Sequence, residues 1–331
     1  MNEGGIATSM EDIKVIVYGV SGVGSGIIRT LAKRLGVKIV AAVGKNPAKF
    51  GKDIGELVGV DPLGVYVESN LEEACKRTKA DIMLDASSSG DPVSTFEADL
   101  PAIVNGINVI VANADISCLQ YREDGVAQRI HDTCCEHGVS YLGIGNTQTT
   151  LRLIFGLAEG VADIESIRFT HFADVHSFSP KSNADRLGIT LPIEEYRKRF
   201  SNLASGNDRW RIDVVYGIAE KFGWNLDDVK LSREIKTDDS DIVNANITHV
   251  IGTVGTEEKI RMDWVFTMDP EERYYDQVEI KGVPYVNSIN NFSPDRGKVG
   301  TYASMCNAIP LVVAAKPGYI SSFDLNPALP Y

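Results

Sequence analysis

A short strand that runs into a glycine-rich turn and then into a helix constrains the fold of this chain more than any other feature. Residues 14–18 (K-V-I-V-Y) are rich in β-branched residues, and the turn that follows reads G-V-S-G-V-G-S-G over residues 19–26. Apolar residues then recur at helical spacing up to Leu35. Glycines in such a turn let phosphate groups approach the backbone N–H groups of a helix N-terminus. The pattern therefore predicts the start of a dinucleotide-binding domain.

Strand and helix patterns alternate along the first 150 residues. Further buried strands, with helical segments between them, are predicted at 37–43, 80–86, 108–112 and 139–142. Repeated βα units of this length form a parallel sheet with helices on both faces. After Thr147 the pattern changes to longer alternating runs at 166–176, 245–254, 259–268 and 277–281. These runs predict an open, mostly antiparallel sheet with one solvated face, so the fold class is α/β with an added α+β domain.

Composition and charge narrow the classes of function. The chain has 331 residues, which suggests two domains, and a net charge of −12, which disfavours nucleic acid and membrane as partners. It contains nothing like the roughly 20 consecutive apolar residues of a membrane helix. The polar N-terminus lacks the pattern of a signal peptide. Five cysteines without a C-x-x-C pair and five histidines without an H-E-x-x-H motif predict a reduced, cytoplasmic protein without a metal site.

The glycine-rich turn and the ends of the neighbouring strands supply the predicted cofactor contacts. The G-x-x-G-x-G spacing is intact, although Ser21 interrupts the stricter G-x-G-x-x-G pattern. No Asp or Glu follows the second strand to accept hydrogen bonds from a ribose diol, and Lys45 could instead pair with a 2′-phosphate. This favours NADP, with NAD as the alternative. The predicted cofactor-binding residues are Gly19, Ser21, Gly22, Val23, Gly24, Lys45, Asn46, Ser87, Ser88 and Ser89.

Two further motifs carry a family resemblance. Residues 177–189 read S-F-S-P-K-S-N-A-D-R-L-G-I, and residues 300–325 contain N-A-I-P followed by A-K-P-G. With the glycine turn, they resemble the 2,4-diaminopentanoate dehydrogenase and native amine dehydrogenase family, which is related to dihydrodipicolinate reductase. The resemblance implies a Rossmann domain over 13–147, completed by 300–331 with the last helix packed back on it, and a substrate and dimerisation domain over 148–299. It also implies a homodimer that interconverts an amine with a carbonyl compound and ammonia, using NAD(P)(H).

The predicted chemistry lies after the strand N-V-I-V-A. Members of the family often carry two acidic residues there, one of them a catalytic glutamate, whereas this chain has Asn113, Ala114 and Asp115. A carboxylate beside the reacting carbon could hold ammonium and move its protons, so we assign Asp115 to acid–base catalysis and Asn113 to a supporting polar role. A helix cap or a plain loop carboxylate is the competing interpretation of Asp115. Thr147 and His176 are the candidate substrate contacts.

The sequence alone therefore leaves three functions open. The leading hypothesis is an amine dehydrogenase that acts on a small carbonyl compound and ammonia. A cyclic imine or enamine reductase of the dihydrodipicolinate reductase type would need no ammonia, but the paired histidines with a nearby lysine of that group are missing. A non-catalytic NADP-binding protein is the third possibility, because the usual glutamate and a proline in the loop 143–149 are absent.

Overall fold

The protein folds into two β-sheets with helices packed on them. The computed structural model describes residues 11–87, 91–145, 147–175, 187–200, 208–268, 271, 273–293 and 296–325. The first sheet is parallel throughout, and its helices connect successive strands. Its strands are β1 (Ile13–Tyr18), β2 (Val37–Val43), β3 (Val67–Glu68), β4 (Ile82–Asp85), β5 (Asn108–Val111), β6 (Ser140–Gly143) and, from the far end of the chain, β13 (Gly318–Ile320). The order across the sheet is β13-β6-β5-β4-β1-β2-β3.

Helices cover both faces of this sheet because its strands are apolar on both sides. They are α1 (Val23–Leu31), α2 (Ile54–Val58), α3 (Leu71–Thr78), α4 (Pro92–Ile103) and α5 (Val126–His137). Val15 and Val17 of β1 face the core that contains α1, whereas Ile16 and Tyr18 face the core that contains α3, α4 and α5. This two-sided burial is the reason that near-continuous apolar runs in the sequence predicted a parallel sheet.

The second sheet is mixed, and its order is β12-β11-β7-β10-β9-β8. The strands are β7 (Ala162–Asp174), β8 (Asp228–Thr237), β9 (Val243–Val254), β10 (Glu257–Thr267), β11 (Tyr274–Val283) and β12 (Val286–Asn291). Only the pairing of β7 with β10 is parallel among the described pairs, so the sheet is mostly antiparallel, as predicted. Its accompanying helices are α6 (Thr147–Ala158), α7 (Ile193–Arg199) and α8 (Arg209–Lys221).

The last helix, α9 (Arg296–Val313), returns to pack against α1 of the first sheet, as the family resemblance implied. The contact is close, because a Cβ added to Gly26 would lie 2.1 Å from the ring of Tyr302. Arg34 also donates a hydrogen bond from Nη2 to Oδ1 of Asn307 at 2.8 Å. The chain then adds β13 beside β6, so residues far apart in sequence complete one sheet. The domain limits given above stay a prediction.

The patterns missed several elements, among them the edge strands β8 and β12 and the helix α8. The edge strands β8 and β12 alternate half-buried and exposed side chains, so neither presents the run of apolar residues that marks a buried strand. Helix α8 buries Arg211 and Asp213 together with its apolar residues, which blurs its helical pattern. No helix in the described part of the chain has the length and apolar character needed to cross a membrane.

Candidate active site

The glycine turn packs so tightly that only glycine fits at two of its positions. A Cβ added to Gly24 would lie 1.7 Å from the carbonyl oxygen of Gly19, and a Cβ added to Gly19 would lie 2.6 Å from the backbone of Ala86 and Ser87. Gly22 differs, because nothing lies within 4 Å of an added Cβ and its φ is +55°. It precedes Val23 at the start of α1 without a side-chain cap. The turn thus leaves an open, uncapped helix N-terminus, which fits the pyrophosphate of a dinucleotide.

A lysine that the sequence reasoning missed lies at this turn. Lys49 donates from Nζ to Oγ of Ser21 at 2.7 Å and to the carbonyl of Val20 at 3.0 Å. Lys45, the predicted partner of a 2′-phosphate, places its Nζ 5.4 Å from the ring centroid of Tyr18. Lys49 is therefore a further candidate for phosphate binding at the glycine turn, while Lys45 lies over an aromatic ring.

The position of Lys49 follows from a local cap. Oδ1 of Asn46 accepts the backbone N–H of Ala48 at 3.0 Å and opens a 3-10 turn over Pro47–Lys49. This turn reverses the chain after β2, so that Lys49 points back toward the glycine turn. The predicted residue Asn46 thus has a structural part here. The sequence N-P-A-K, with a capping residue before proline, was the signal that could have pointed to Lys49.

Ser87 follows β4 and is fixed by a buried carboxyl group. Its backbone N–H donates to Oδ1 of Asp85 at 2.6 Å, and Asp85 is fully buried next to Asp99, which is also fully buried. The hydroxyl of Tyr141 donates to Oδ2 of Asp99 at 2.7 Å. Burial, together with the negative charge of Asp85, raises the pKa of Asp99 well above its ordinary value. The raised pKa favours the protonated form of Asp99, which helps two carboxyl groups to share one buried pocket.

Asn113 supports the loop that follows β5. It is buried, and its Oδ1 accepts the backbone N–H of Asp115 at 2.9 Å, which starts a 3-10 turn over Ala114–Ile116. Its Nδ2 donates to Oγ1 of Thr95 on α4 at 3.1 Å. The side chain therefore holds the loop on the neighbouring helix.

Asp115 lies between the two sheets. Its side chain is 15% exposed, and Oδ1 lies 3.3 Å from Nη2 of Arg122. The backbone N–H of Trp210, in the first turn of α8, also lowers the pKa of this carboxyl, and Asp208 provides no side-chain cap for that helix. Burial raises the pKa of Asp115, and the positive charge of Arg122 opposes that rise. The carboxyl therefore faces the first turn of α8, and it is a partly buried group of the kind that acid–base catalysis uses.

The end of the chain secures the loop that carries Asp115. The hydroxyl of Tyr319 on β13 donates to the carbonyl of Ile116 at 2.6 Å and accepts the backbone N–H of Leu119 at 2.9 Å. The backbone N–H of Ser322 donates to the carbonyl of Ser117 at 2.8 Å. The tail motif recognised in the sequence is therefore part of the support of this loop.

A cleft of about 680 Å³ opens beside Arg122. Arg122 donates from Nε to Oδ2 of Asp213 on α8 at 2.6 Å, and Arg209 donates from Nε to Oδ1 of the same carboxylate at 3.1 Å. The cleft thus has charged groups of both signs along one side. Its lining residues are Asp91, Pro92, Tyr121, Arg122, Glu123, Asp124, Arg209 and Tyr216. The sequence reasoning did not identify Arg122 or Asp213.

Several predicted residues lie outside the described part of the chain. Ser88, Ser89 and His176 do so entirely, and Thr147 begins α6 with a side chain that is not described. On β7, His171 has its Nδ1 2.7 Å from Oδ1 of Asp276 on β11. Among the described residues, no group of three or more His, Cys, Asp or Glu side chains could hold a metal ion.

The parallel sheet and the open glycine turn are those of a dinucleotide-binding domain, and comparison with known proteins supports the class of nicotinamide-dependent oxidoreductases. Residues 13–117 match the family model described as dihydrodipicolinate reductase, N-terminus. Residues 150–329, more than half of the chain, match the model described as 2,4-diaminopentanoate dehydrogenase C-terminal domain. The chain therefore belongs to the 2,4-diaminopentanoate dehydrogenase family, which confirms the resemblance found in the sequence.

Individual relatives agree with this assignment. A 2,4-diaminopentanoate dehydrogenase from Acetoanaerobium sticklandii is 28% identical over 96% of this chain and 94% of its own length. A 4-hydroxy-tetrahydrodipicolinate reductase from Methanococcus maripaludis is 33% identical over 59% of this chain and 72% of its own length. Among solved structures, an amine dehydrogenase from Mycobacterium smegmatis has a TM-score of 0.80 at 20% identity, covering 96% of this chain and 97% of that one. These comparisons confirm the predicted fold class; the homodimer and the cytoplasmic location stay predictions.

Proposed function

We propose that this protein is an NADP-preferring amine dehydrogenase that aminates a small carbonyl compound reversibly with ammonia. The observation that carries the proposal is the Asp115 carboxyl, which lies just after β5 at the carboxyl edge of the parallel sheet with its pKa raised by burial. Ligands bind at this edge in doubly wound folds. The relative from Acetoanaerobium sticklandii, named a 2,4-diaminopentanoate dehydrogenase, supports chemistry at a carbon that bears an amino group.

The residues around the glycine turn fit the proposed cofactor. The open position at Gly22 and the uncapped start of α1 would receive the pyrophosphate, and Ser87 would lie along the cofactor at the end of β4. Lys49, next to Ser21, would pair with the 2′-phosphate that distinguishes NADP from NAD. When bound, the nicotinamide donates a hydride to the substrate during amination and accepts one during the reverse reaction.

Asp115 would move the protons. As a carboxylate it would hold ammonium and remove a proton, which frees ammonia to add to the carbonyl carbon. As the acid it would protonate the carbinolamine hydroxyl, which leaves as water, and the resulting carboxylate would stabilise the iminium cation. The balanced reaction consumes one carbonyl compound, one ammonium ion, one NADPH and one proton, and yields one alkylammonium ion, one NADP⁺ and one water. A raised pKa suits a group that must both accept and donate a proton near neutral pH.

The decisive experiment measures NADPH oxidation against a panel of small aldehydes, ketones and amino-ketone acids, with and without ammonium. We expect oxidation that depends on ammonium, and we expect Asp115→Asn to slow it by about 100-fold or more while NADPH still binds. An Asn113→Asp variant is a useful companion, because it restores the second acidic position of the family and keeps an oxygen that can accept the Asp115 backbone N–H. Oxidation at full rate in the Asp115→Asn variant would refute the catalytic assignment.

A cyclic imine or enamine reductase is the second candidate. The match of residues 13–117 to the dihydrodipicolinate reductase model, and the 33% identity to a 4-hydroxy-tetrahydrodipicolinate reductase, favour it over other reductases. That match centres on the dinucleotide-binding half, whereas residues 150–329 match the 2,4-diaminopentanoate dehydrogenase model. The same assay separates the two functions, because a preformed cyclic imine would be reduced at the same rate with or without ammonium.

A further inference from the structure

Asp115 belongs to a row of charged groups that connects the two sheets. Arg122 lies between two carboxylates, with Nη2 at 3.3 Å from Oδ1 of Asp115 and Nε at 2.6 Å from Oδ2 of Asp213. The Arg122 side chain is only 9% exposed, and Asp213 is 1% exposed. Arg209, which is 46% exposed, binds the other oxygen of Asp213 at 3.1 Å. Two arginines and two aspartates thus alternate, and the innermost arginine is the one that touches Asp115.

The segment that carries Arg122 is docked on α8. The hydroxyl of Tyr121 hydrogen-bonds to the carboxylate of Glu220, and the Tyr121 ring stacks on Tyr216 with centroids 6.4 Å apart. The backbone N–H of Trp210 also lowers the pKa of the Asp115 carboxyl, so α8 and Arg122 approach this carboxyl from two directions. A planar guanidinium that binds two acceptors fixes their relative orientation better than a lysine could.

We propose that Arg122 is a positioning residue, which holds Asp115 in its reacting orientation and couples it to Asp213 on α8. The proposal rests on the proposed acid–base function of Asp115. Arg122 touches the carboxylate, Arg211 adds a more distant positive charge, and Asp213 competes with Asp115 for the guanidinium of Arg122. The sign of each effect follows from these contacts: the loss of Arg122 favours the neutral form of Asp115, and the loss of the Asp213 charge favours its ionised form.

The pH dependence of kcat/KM for amination tests the proposal. In Arg122→Gln we expect the acidic limb of the profile to move up by about one to three pH units, since an adjacent opposite charge shifts a carboxyl pKa by that amount. In Asp213→Asn we expect the limb to move down. Arg122→Lys keeps the positive charge but lacks the paired N–H donors of the guanidinium. The acidic limb should therefore stay close to that of the wild type, while kcat falls. Arg209→Gln is the matched control, because Arg209 contacts Asp213 but not Asp115, and its limb should move far less.

Opposite shifts in Arg122→Gln and Asp213→Asn support the proposal, because simple loss of folding cannot produce them. Equal shifts in Arg122→Gln and Arg209→Gln, or shifts of the same sign in Arg122→Gln and Asp213→Asn, would overturn it. Titration of the Asp115 carboxyl carbon by ¹³C NMR in the same variants reports the coupling without turnover. If the wild type shows no ammonium-dependent oxidation, the proposed function fails, while the NMR shifts still decide whether Arg122 controls Asp115.

Discussion

Replacement of Gly24 by alanine tests whether the glycine turn is the dinucleotide site. The added Cβ would lie 1.7 Å from the carbonyl oxygen of Gly19, where a carbon–oxygen contact needs roughly 3.3 Å, so the start of α1 must shift by about 1.6 Å. Gly19 cannot give way, because it packs on the backbone of Ala86 and Ser87. A shift of that size breaks hydrogen bonds from helix N–H groups to phosphate, each of which contributes about 1.5–3 kcal/mol. Loss of two bonds costs at least about 3 kcal/mol, or roughly 100-fold in affinity.

The assay is a titration of NADPH fluorescence, with thermal unfolding measured on the same samples. Gly36→Ala is the control for loss of a glycine just before β2 of the same sheet, because Gly36 has a φ of +73° and open space around an added Cβ, and it lies away from the turn. We expect Gly36→Ala to lower stability by about 1–2 kcal/mol and to leave affinity for NADPH unchanged. A folded Gly24→Ala protein that binds NADPH within about threefold of the wild type would refute the assignment of the turn.

Three further predictions test the surroundings of the site. Lys49→Ala should weaken NADPH binding by about 10- to 100-fold and leave NADH binding unchanged. Lys45→Ala should change the binding of neither cofactor. Equal effects of the two variants in paired titrations would contradict the assignment of Lys49 to the 2′-phosphate. Because the pKa of Asp99 is raised in the folded state, its contribution to stability is lost as pH rises. The Tm of the wild type should therefore fall relative to Asp99→Asn as the pH rises above about 4, the ordinary pKa of an aspartic acid. Asn is the neutral reference, because it can still accept the Tyr141 hydroxyl, and parallel curves would contradict the prediction. Tyr319→Phe leaves the buried carbonyl of Ile116 and N–H of Leu119 without their partner, so the free energy of unfolding in urea should fall by about 1–3 kcal/mol. An unchanged midpoint would show that the tail does not support the loop that carries Asp115.

The interpretation of Asp115 shows how far a sequence pattern reaches. Its place after the strand N-V-I-V-A predicted a carboxyl at the sheet edge, and β5 ends at Val111 in agreement with that. Whether this carboxyl was a catalyst or a helix cap could not be decided from residues near it in sequence. The helix that it faces begins at Arg209, and the arginine that binds it also binds Asp213, which lies 91 positions after Arg122.

The sequence by itself determined the class of fold, the glycine turn and the family. Strand, turn and helix at residues 13–31 are neighbours in the chain, and apolar spacing and glycine positions report such local geometry directly. Only the tertiary structure decided that Lys49 lies at the glycine turn and that Arg122 contacts Asp115. Lys49 meets Ser21 across 28 positions, and Arg122 meets Asp213 between two sheets, because helices and turns fold back on one another. Such contacts depend on how helices and strands pack against one another, and the periodicity of a single segment does not predict that packing.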